Sequence, residues 1–357
     1  MKKNKIIYLI LLCLTTLVFY SCGDKFDISE FNTDNAGNIS GDTIYVKLNP
    51  DWTGFNKPQD IIVGREPLIY VADTENNSVV MLNLDGARLG SITVPRPIAI
   101  AQDYKLNLIV CGEFDTLGQT YSAVYKIDLV SVNHQITNAP IRRILPRLDD
   151  LNSPSRLYTA ACVFYDNSFY VARTGPNNSS IYDPDNSILL FRPKNIDNFN
   201  SGDTLIGRVP NISATSSGLV SANQISSLSS FNNTSIDLVV SLTGDNSFKT
   251  QWWNYEITPI DERYQSVFTP SDGVDFAKPN NFDRPEGSTI DENGNIFIAD
   301  AGKDSVFKYN SLGAKLIGFG GPTLFNEPYA VAFFDKVLYV ADTGNNRIVR
   351  YILSTDL

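Results

Sequence analysis

IFIADAGKDSVFKYNSLG, from Ile296 to Gly313, and LYVADTGNNRIVRYIL, from Leu338 to Leu353, are two versions of one pattern. In each, a short alternating apolar run ends in Ala-Asp, a turn of Gly, Asn and Thr or Ala follows, and a second alternating run returns. Period-two alternation on both sides of a turn reads as a β-hairpin. YVADTENNSVVMLNLDG, from Tyr70 to Gly86, is a third copy. The turn aspartates are Asp73, Asp300 and Asp342, and the last two are 342 − 300 = 42 residues apart. That is the period of a propeller blade. A carboxylate at this point is expected to accept backbone N–H groups in an Asx-type turn, a structural role.

Around these copies the chain resembles a known repeat. Pro285-Glu286-Gly287, then Asp291-Glu292-Asn293-Gly294-Asn295 leading into IFIAD, is similar to an NHL repeat, and Pro328 through Arg350-Tyr351 is a second such copy. The resemblance implies an all-β fold, a six-bladed β-propeller of the NHL/TolB-like kind. The clear copies are blades one, five and six. By pattern, blade two runs from Pro97 through LIVCGE and SAVYKIDL, and blade three holds SFYVART and SILLFRP, with Arg173 in place of the turn Asp. Blade four holds IDLVVSLTGDNS and the run Trp252 to Thr258.

A second count also gives six. Outer-strand-like runs ending in proline recur at Pro50, Pro95, Pro146, Pro210, Pro270 and Pro322, where an edge strand can lose a donor without harm. The three-strand unit after Pro322 has no outer strand of its own. The run Thr43 to Leu48 is expected to supply it, so that an N-terminal strand completes the last blade and closes the ring.

The other end of the reading is the leader. Lys2, Lys3 and Lys5 precede an apolar run from Ile6 to Val18 that is too short to span a bilayer comfortably, the pattern of a signal peptide. Ser21-Cys22 resembles a lipobox, although Phe19 and Tyr20 are bulkier than that motif usually carries. Residues 1–21 are therefore expected to be removed, Cys22 to be acylated, residues 22–42 to form an acidic tether, and residues 43–357 to be the propeller. Several acyl chains on one terminus hold a protein on a membrane durably. The expected location is the outer membrane, on its periplasmic face or at the cell surface.

With 29 basic and 39 acidic residues the chain carries a net charge of −10, which argues against nucleic acid as a partner. Beyond the tether only Cys111 and Cys162 remain, both in apolar runs, and they read as buried thiols or as one disulfide between neighbouring blades. The single histidine, His134, falls in an expected exposed loop between blades two and three. It excludes a three-histidine zinc site. No cofactor is expected, and calcium, which takes only oxygen ligands, is the one ion the composition leaves open.

Fold does not choose function among propellers, so the site must. The residue after each repeat-opening proline is expected near the channel mouth: Gln59, Ile98, Ser155, Glu286 and Tyr329. Trp252 and Trp253, adjacent on one strand, must face opposite ways; packing between blades is their first expected use, and a ring left exposed would anchor a protein or glycan partner. Long loops at Gly175 to Asn186 and Asn211 to Ser230 would add contact surface. Two functions follow from these residues. The first is a membrane-anchored binding or scaffold lipoprotein that contacts an envelope protein complex or a glycan through its loops. The second is a calcium-dependent lactonase or gluconolactonase-like hydrolase or lyase in the channel.

If Cys22 carries the acyl chains, Cys22→Ser should move the protein from the membrane pellet to the soluble fraction. Retention of the variant in an alkali-washed outer-membrane pellet would contradict the lipoprotein reading.

Overall fold

The computed structural model describes residues 43–231 and 234–357. The expected signal peptide, Cys22 and the tether lie outside the described residues. Blade one is β2 (Pro58–Val63), β3 (Ile69–Asp73), β4 (Ser78–Leu82) and β5 (Arg88–Thr93), and blade six takes β1 (Tyr45–Trp52) as described below. Blade two is β6 (Ala99–Gln102), β7 (Leu108–Thr116), β8 (Gln119–Ile127) and β9 (Ile141–Leu145). Blade three is β10 (Leu157–Val163), β11 (Phe169–Thr174), β12 (Ser187–Pro193) and β13 (Asp203–Arg208). Blade four is β14 (Ile225–Ser230), β15 (Leu238–Leu242), β16 (Thr250–Ile257) and β17 (Glu262–Ser266). Blade five is β18 (Pro285–Ile290), β19 (Ile296–Asp300), β20 (Ser305–Tyr309) and β21 (Lys315–Gly320). Blade six adds β22 (Pro328–Phe334), β23 (Val337–Asp342) and β24 (Arg347–Leu353).

Each blade is a four-stranded antiparallel sheet. The innermost strands touch in the circular order β2, β6, β10, β14, β18, β22 and back to β2, so the sheets form a closed ring around a channel. The expected blades are all present. The N-terminal strand completes the last one: sheet order is β1-β24-β23-β22, with Tyr45 opposite Leu353 and Trp52 opposite Ile348. The strand runs four residues beyond the expected Leu48. Pro50 therefore does not end it but sits in the irregularity between Leu48 and Trp52, on an edge that needs no donor. Trp52 turns back into the core and packs on Tyr339 at 5.7 Å.

The core lies between blades as much as within them. One apolar cluster joins Ile61, Val71 and Val80 of blade one to Ala332, Tyr339 and Ile348 of blade six. A second joins Cys162, Tyr170 and Ile188 of blade three to Leu238, Trp253 and Tyr264 of blade four. Cys111 and Cys162 are both buried and both free, and burial pushes their thiols up. Charge enters one seam: Lys126, 4% exposed, lies 3.0 Å from Asp103 and 3.4 Å from Asp203, which also takes Arg142.

The turn aspartates are structural: Asp300 accepts from Gly302 N at 3.2 Å in the expected Asx-type turn, and all three also take donors from farther along the chain. Asp73 accepts from the backbone N of Asn56 at 2.7 Å, Asp300 from Asp283 at 2.9 Å and Arg284 at 2.8 Å, and Asp342 from Asn326 at 2.8 Å. Each buried carboxylate thus staples the hairpin to the loop that opens the same blade's inner strand. Beside each staple runs a backbone bond, such as Glu75 N to Asn56 O at 3.0 Å and Gly344 N to Asn326 O at 2.8 Å. Blades two and four keep that bond without the carboxylate, through Glu113 N to Pro95 O at 2.8 Å and Thr243 N to Gln224 O at 2.9 Å. In blade two Gly112 stands at the aspartate position, where a Cβ would meet Pro95 O at 2.6 Å. In blade three Arg173 donates within its own hairpin loop, to the backbone carbonyls of Asp185 at 3.1 Å and Pro184 at 2.6 Å, and Arg156, just before β10, ties that loop to the inner strand through Asp183 at 2.6 Å and Asp185 at 2.7 Å.

Deleting Thr43 to Leu48 from the mature chain removes most of the β1 ladder and exposes the β24 edge. Stability should fall by at least ~3 kcal/mol, at about 1 kcal/mol per lost bond. Deleting residues 23–41 should leave it unchanged. Equal denaturant midpoints for the two truncations would refute closure by the N-terminal strand.

Candidate functional site

Antiparallel order puts two sets of loops on the face where inner strands begin: the hairpin turns and the connections from one blade to the next. We call this the upper face. Thr74 Oγ1 donates to Pro97 O at 2.7 Å, and Thr343 Oγ1 donates to Pro58 O, so neighbouring blades share this polarity.

The inner-strand register assigns one residue per blade to the channel mouth. Pro58, Ile225, Pro285 and Pro328 lie opposite Asp73, Leu242, Asp300 and Asp342, and Tyr158 lies opposite Arg173. The residues that follow are Gln59, Thr159, Ser226, Glu286 and Tyr329, with Ile98 in blade two. Ser155 is not among them: it is exposed in the turn before β10, and Thr159 takes its place. Thr159 and Ser226 escaped the sequence reading because Tyr158 and Ile225 stand where the clear repeats have proline. Both hydroxyls are engaged, Thr159 donating to Ile225 O and Ser226 to Pro285 O, each at 2.6 Å. They close seams between blades.

Glu286 and Tyr329 come together around Arg284. The Arg284 guanidinium binds Glu327 at 2.6 Å, approaches Glu286 at 3.5 Å and lies 5.7 Å over the Tyr329 ring. Its buried Nε has no hydrogen-bond partner. Burial pushes the Glu286 carboxyl up to about 7, with Arg284 acting the other way and Glu327 and Asp300 adding to the rise. Arg284 also forms part of the wall of a cleft of about 550 Å³, lined with Lys249, Asp283, Asp304, Asn326 and Glu327. The cleft is polar and carries both signs of charge. Lys249 donates to Asp283 O, and Glu327 N donates to Asp304 Oδ1 at 2.8 Å.

Gln59, half-buried on β2, stands next in the ring to β22, the strand that carries Tyr329. The tryptophans pack between blades, and the alternative of an exposed anchor does not hold. Trp253 is fully buried, its Nε1 donating to Gln251 at 2.8 Å, and Trp252 is sandwiched by Phe231 at 4.8 Å and Phe268 at 5.7 Å. Both faces of β16 are covered by neighbouring blades, so neither ring is free to anchor a partner. His134 is also not the exposed residue expected: it is half-buried on the lower face, with Nδ1 3.6 Å from Glu66.

Of the two expected loops, Asn211 to Ser230 is only partly a loop, since its last six residues are β14. The Gly175 to Asn186 loop is real and heavily braced. Asp183 lies 2.6 Å from both Arg156 and Arg173, and Arg208 donates to Tyr182 O at 2.5 Å. The tip leaves Ile181 and Tyr182 81% and 84% exposed. Nearby on the upper face, Leu117 at the β7–β8 turn and Leu148 before β10 are 91% and 85% exposed. Among the described residues no three His, Cys, Asp or Glu side chains converge to hold a metal ion. Asp60, the other carboxyl that burial lifts to about 7, accepts from Ile61 N at 2.8 Å and Ile100 N at 2.6 Å and ties blade one to blade two.

The ring is that of several solved structures. A luciferin-regenerating enzyme superposes with a TM-score of 0.56 at 12% identity, covering 87% of this chain and 95% of its own. A gluconolactonase from Xanthomonas campestris gives 0.55 at 13%, covering 88% and 90%. A calcium-binding regucalcin from Agrobacterium tumefaciens gives 0.53 at 11%, covering 85% and 91%. At such identities the likeness establishes a shared six-bladed propeller. No protein-family profile matches the chain, and no curated protein is similar to it in sequence.

Because the folded Glu286 carboxyl titrates near 7 instead of 4.5, the folded state holds a proton that the unfolded state loses between those values. Its contribution to stability is present below pH 4.5 and lost as pH rises to 7. Glu286→Gln should remove roughly 1–3 kcal/mol of that decline, read from denaturant midpoints across the window. An unchanged slope would show that Glu286 does not hold this proton.

Proposed function

We propose that this chain is an NHL-type propeller lipoprotein, held on the outer membrane through acylated Cys22, that binds an envelope protein or a glycan on its upper face. The observation that carries the reading is the braced Gly175 to Asn186 loop. Four arginine contacts fix its backbone and leave Ile181 and Tyr182 projecting into water. A rigid loop that displays an aromatic and an aliphatic side chain loses little entropy on binding and supplies the kind of anchor found at interface centres. The polar cleft around Arg284 lies on the same face and suits hydroxyls, amides or a carboxylate of the same partner. The one histidine lies at the other end of the ring, away from this cleft.

A second reading rests on Glu286. A carboxyl lifted to about 7 at the channel mouth, beside Tyr329 and Arg284, is a group suited to general acid or base work. Together with gluconolactonase and regucalcin neighbours it points to a lactone hydrolase that would take calcium from solution. Such an ion, at a hundred times its dissociation constant, stabilises the fold by about 2.7 kcal/mol. EDTA and calcium should then shift the melting temperature in opposite directions.

The two readings separate cleanly. For the binding module, Ile181→Ala with Tyr182→Ala should cut partner recovery in whole-cell cross-linking at least about tenfold, because such anchors are each worth about 2 kcal/mol. Melting should stay within about 2 °C, because exposed side chains contribute little to stability. Unchanged cross-linking, or calcium-dependent lactone hydrolysis that Glu286→Gln abolishes, would transfer the function to the channel.

A further inference from the structure

The lower face, where the second pair of turn sets lies, carries a feature that the sequence patterns do not show. In four consecutive blades the third residue beyond the third strand is an exposed aliphatic. Val130 follows β8, Ile196 follows β12, Ile260 follows β16 and Leu312 follows β20, and they are 50%, 42%, 95% and 74% exposed. Each turn is fixed by a polar side chain near its start. Asp128 accepts from Ser131 N at 3.1 Å, Asn195 from Asp197 N at 3.0 Å, Thr258 from Ile260 N at 3.3 Å and Asn310 from Leu312 N at 3.0 Å. The aliphatics are therefore rigid prongs spread around one end of a ring. A single exposed leucine is ordinary, but the same turn position in four successive blades is a pattern.

The chain itself indicates what lies opposite. β1 starts on this face, where Ile44 O accepts from Ser354 N at 2.8 Å, so the segment leading back to Cys22 leaves the ring among these turns. Carboxylates near the prongs are matched by cations: Asp197 by Lys105 at 2.7 Å, Asp356 by Lys336 at 3.0 Å and Asp261 by Arg263 at 3.8 Å. These three carboxylates beside the prongs are thus neutralised where they stand. Separate prongs do not form a groove for a folded partner, but they suit a fluid surface into which each can sink independently.

We infer that the lower face rests on the bilayer, with Val130, Ile196, Ile260 and Leu312 inserted at the headgroup–acyl boundary and the upper face presented away from it. This rests on the anchoring of Cys22 proposed above. The full processed chain, purified from membranes and reconstituted in phosphatidylcholine vesicles, tests it. Ile260→Cys and Leu312→Cys, and Leu117→Cys on the upper face as control, are labelled with a small fluorophore, since Cys111 and Cys162 are buried and unreactive. Brominated phosphatidylcholine should quench the probes at 260 and 312 at least threefold more than the probe at 117. Equal quenching overturns the inference, and a concentration-dependent blue shift without lipid quenching assigns the face to a second copy of the chain and overturns it too. Intact mass of the same preparation reads the anchor separately. An unacylated chain with quenched lower probes would sink the anchoring and keep the lipid-facing surface, and an acylated chain with unquenched probes would do the reverse.

Discussion

The pairing of β1 with β24 is the constraint on which the rest of this molecule depends. Every blade needs four strands to cover its neighbours, and blade six draws three from residues 328–353 and the fourth from residues 45–52. Without that strand, β24 would present an unpaired edge, Trp52 would leave the cluster shared by blades six and one, and the ring would be open at the seam. Closure also fixes where the two faces look. Because the last outer strand runs upward from Tyr45, the chain enters the ring from below, and both the braced blade-three loop and the Arg284 cleft lie at the other end.

The blades are held by one backbone hydrogen bond between the second strand, at or just past the aspartate position, and the segment that opens the inner strand, present in five of them. The side chains that reinforce it differ. Three blades use a buried aspartate, blade two uses the close approach that only Gly112 permits, and blade three uses Arg156, just before its inner strand, on Asp183 and Asp185 of the hairpin loop. This explains what could be read from the sequence. Asp73, Asp300 and Asp342 are a visible signature, so blades one, five and six are legible as repeats. Backbone bonds leave no signature, so blades two and four were recognisable only by alternation.

The same physics explains the misplaced site residues. Pro154 points to Ser155, yet in blade three Tyr158 takes the register position of the repeat proline, and the residue at the mouth is Thr159. Alternation rightly put Trp252 and Trp253 on opposite faces of β16, but strand periodicity says nothing about what covers each face, and adjacent blades cover both. The grouping of Glu286 with Tyr329 was legible from repeat position. Arg284 and Glu327, which give that group its charge balance, recur just before the repeat-opening prolines Pro285 and Pro328, but their opposite charges hide the shared position, and Lys249 comes from the β15–β16 turn. The prongs on the lower face were invisible for a related reason: a lone aliphatic in a polar turn acquires meaning only when the ring brings four of them to one end.

Closure makes a direct demand on the dynamics, because in a closed ring the amides of β1 and β24 must open together and with the ring as a whole. Hydrogen–deuterium exchange resolved to these strands tests it. The account predicts that β1 amides from Val46 to Leu48 exchange with the same free energy of opening as those of β24, close to the global stability. Fast exchange throughout β1 beside a fully protected β24 would show that the N-terminal strand merely lies against a ring that closes without it.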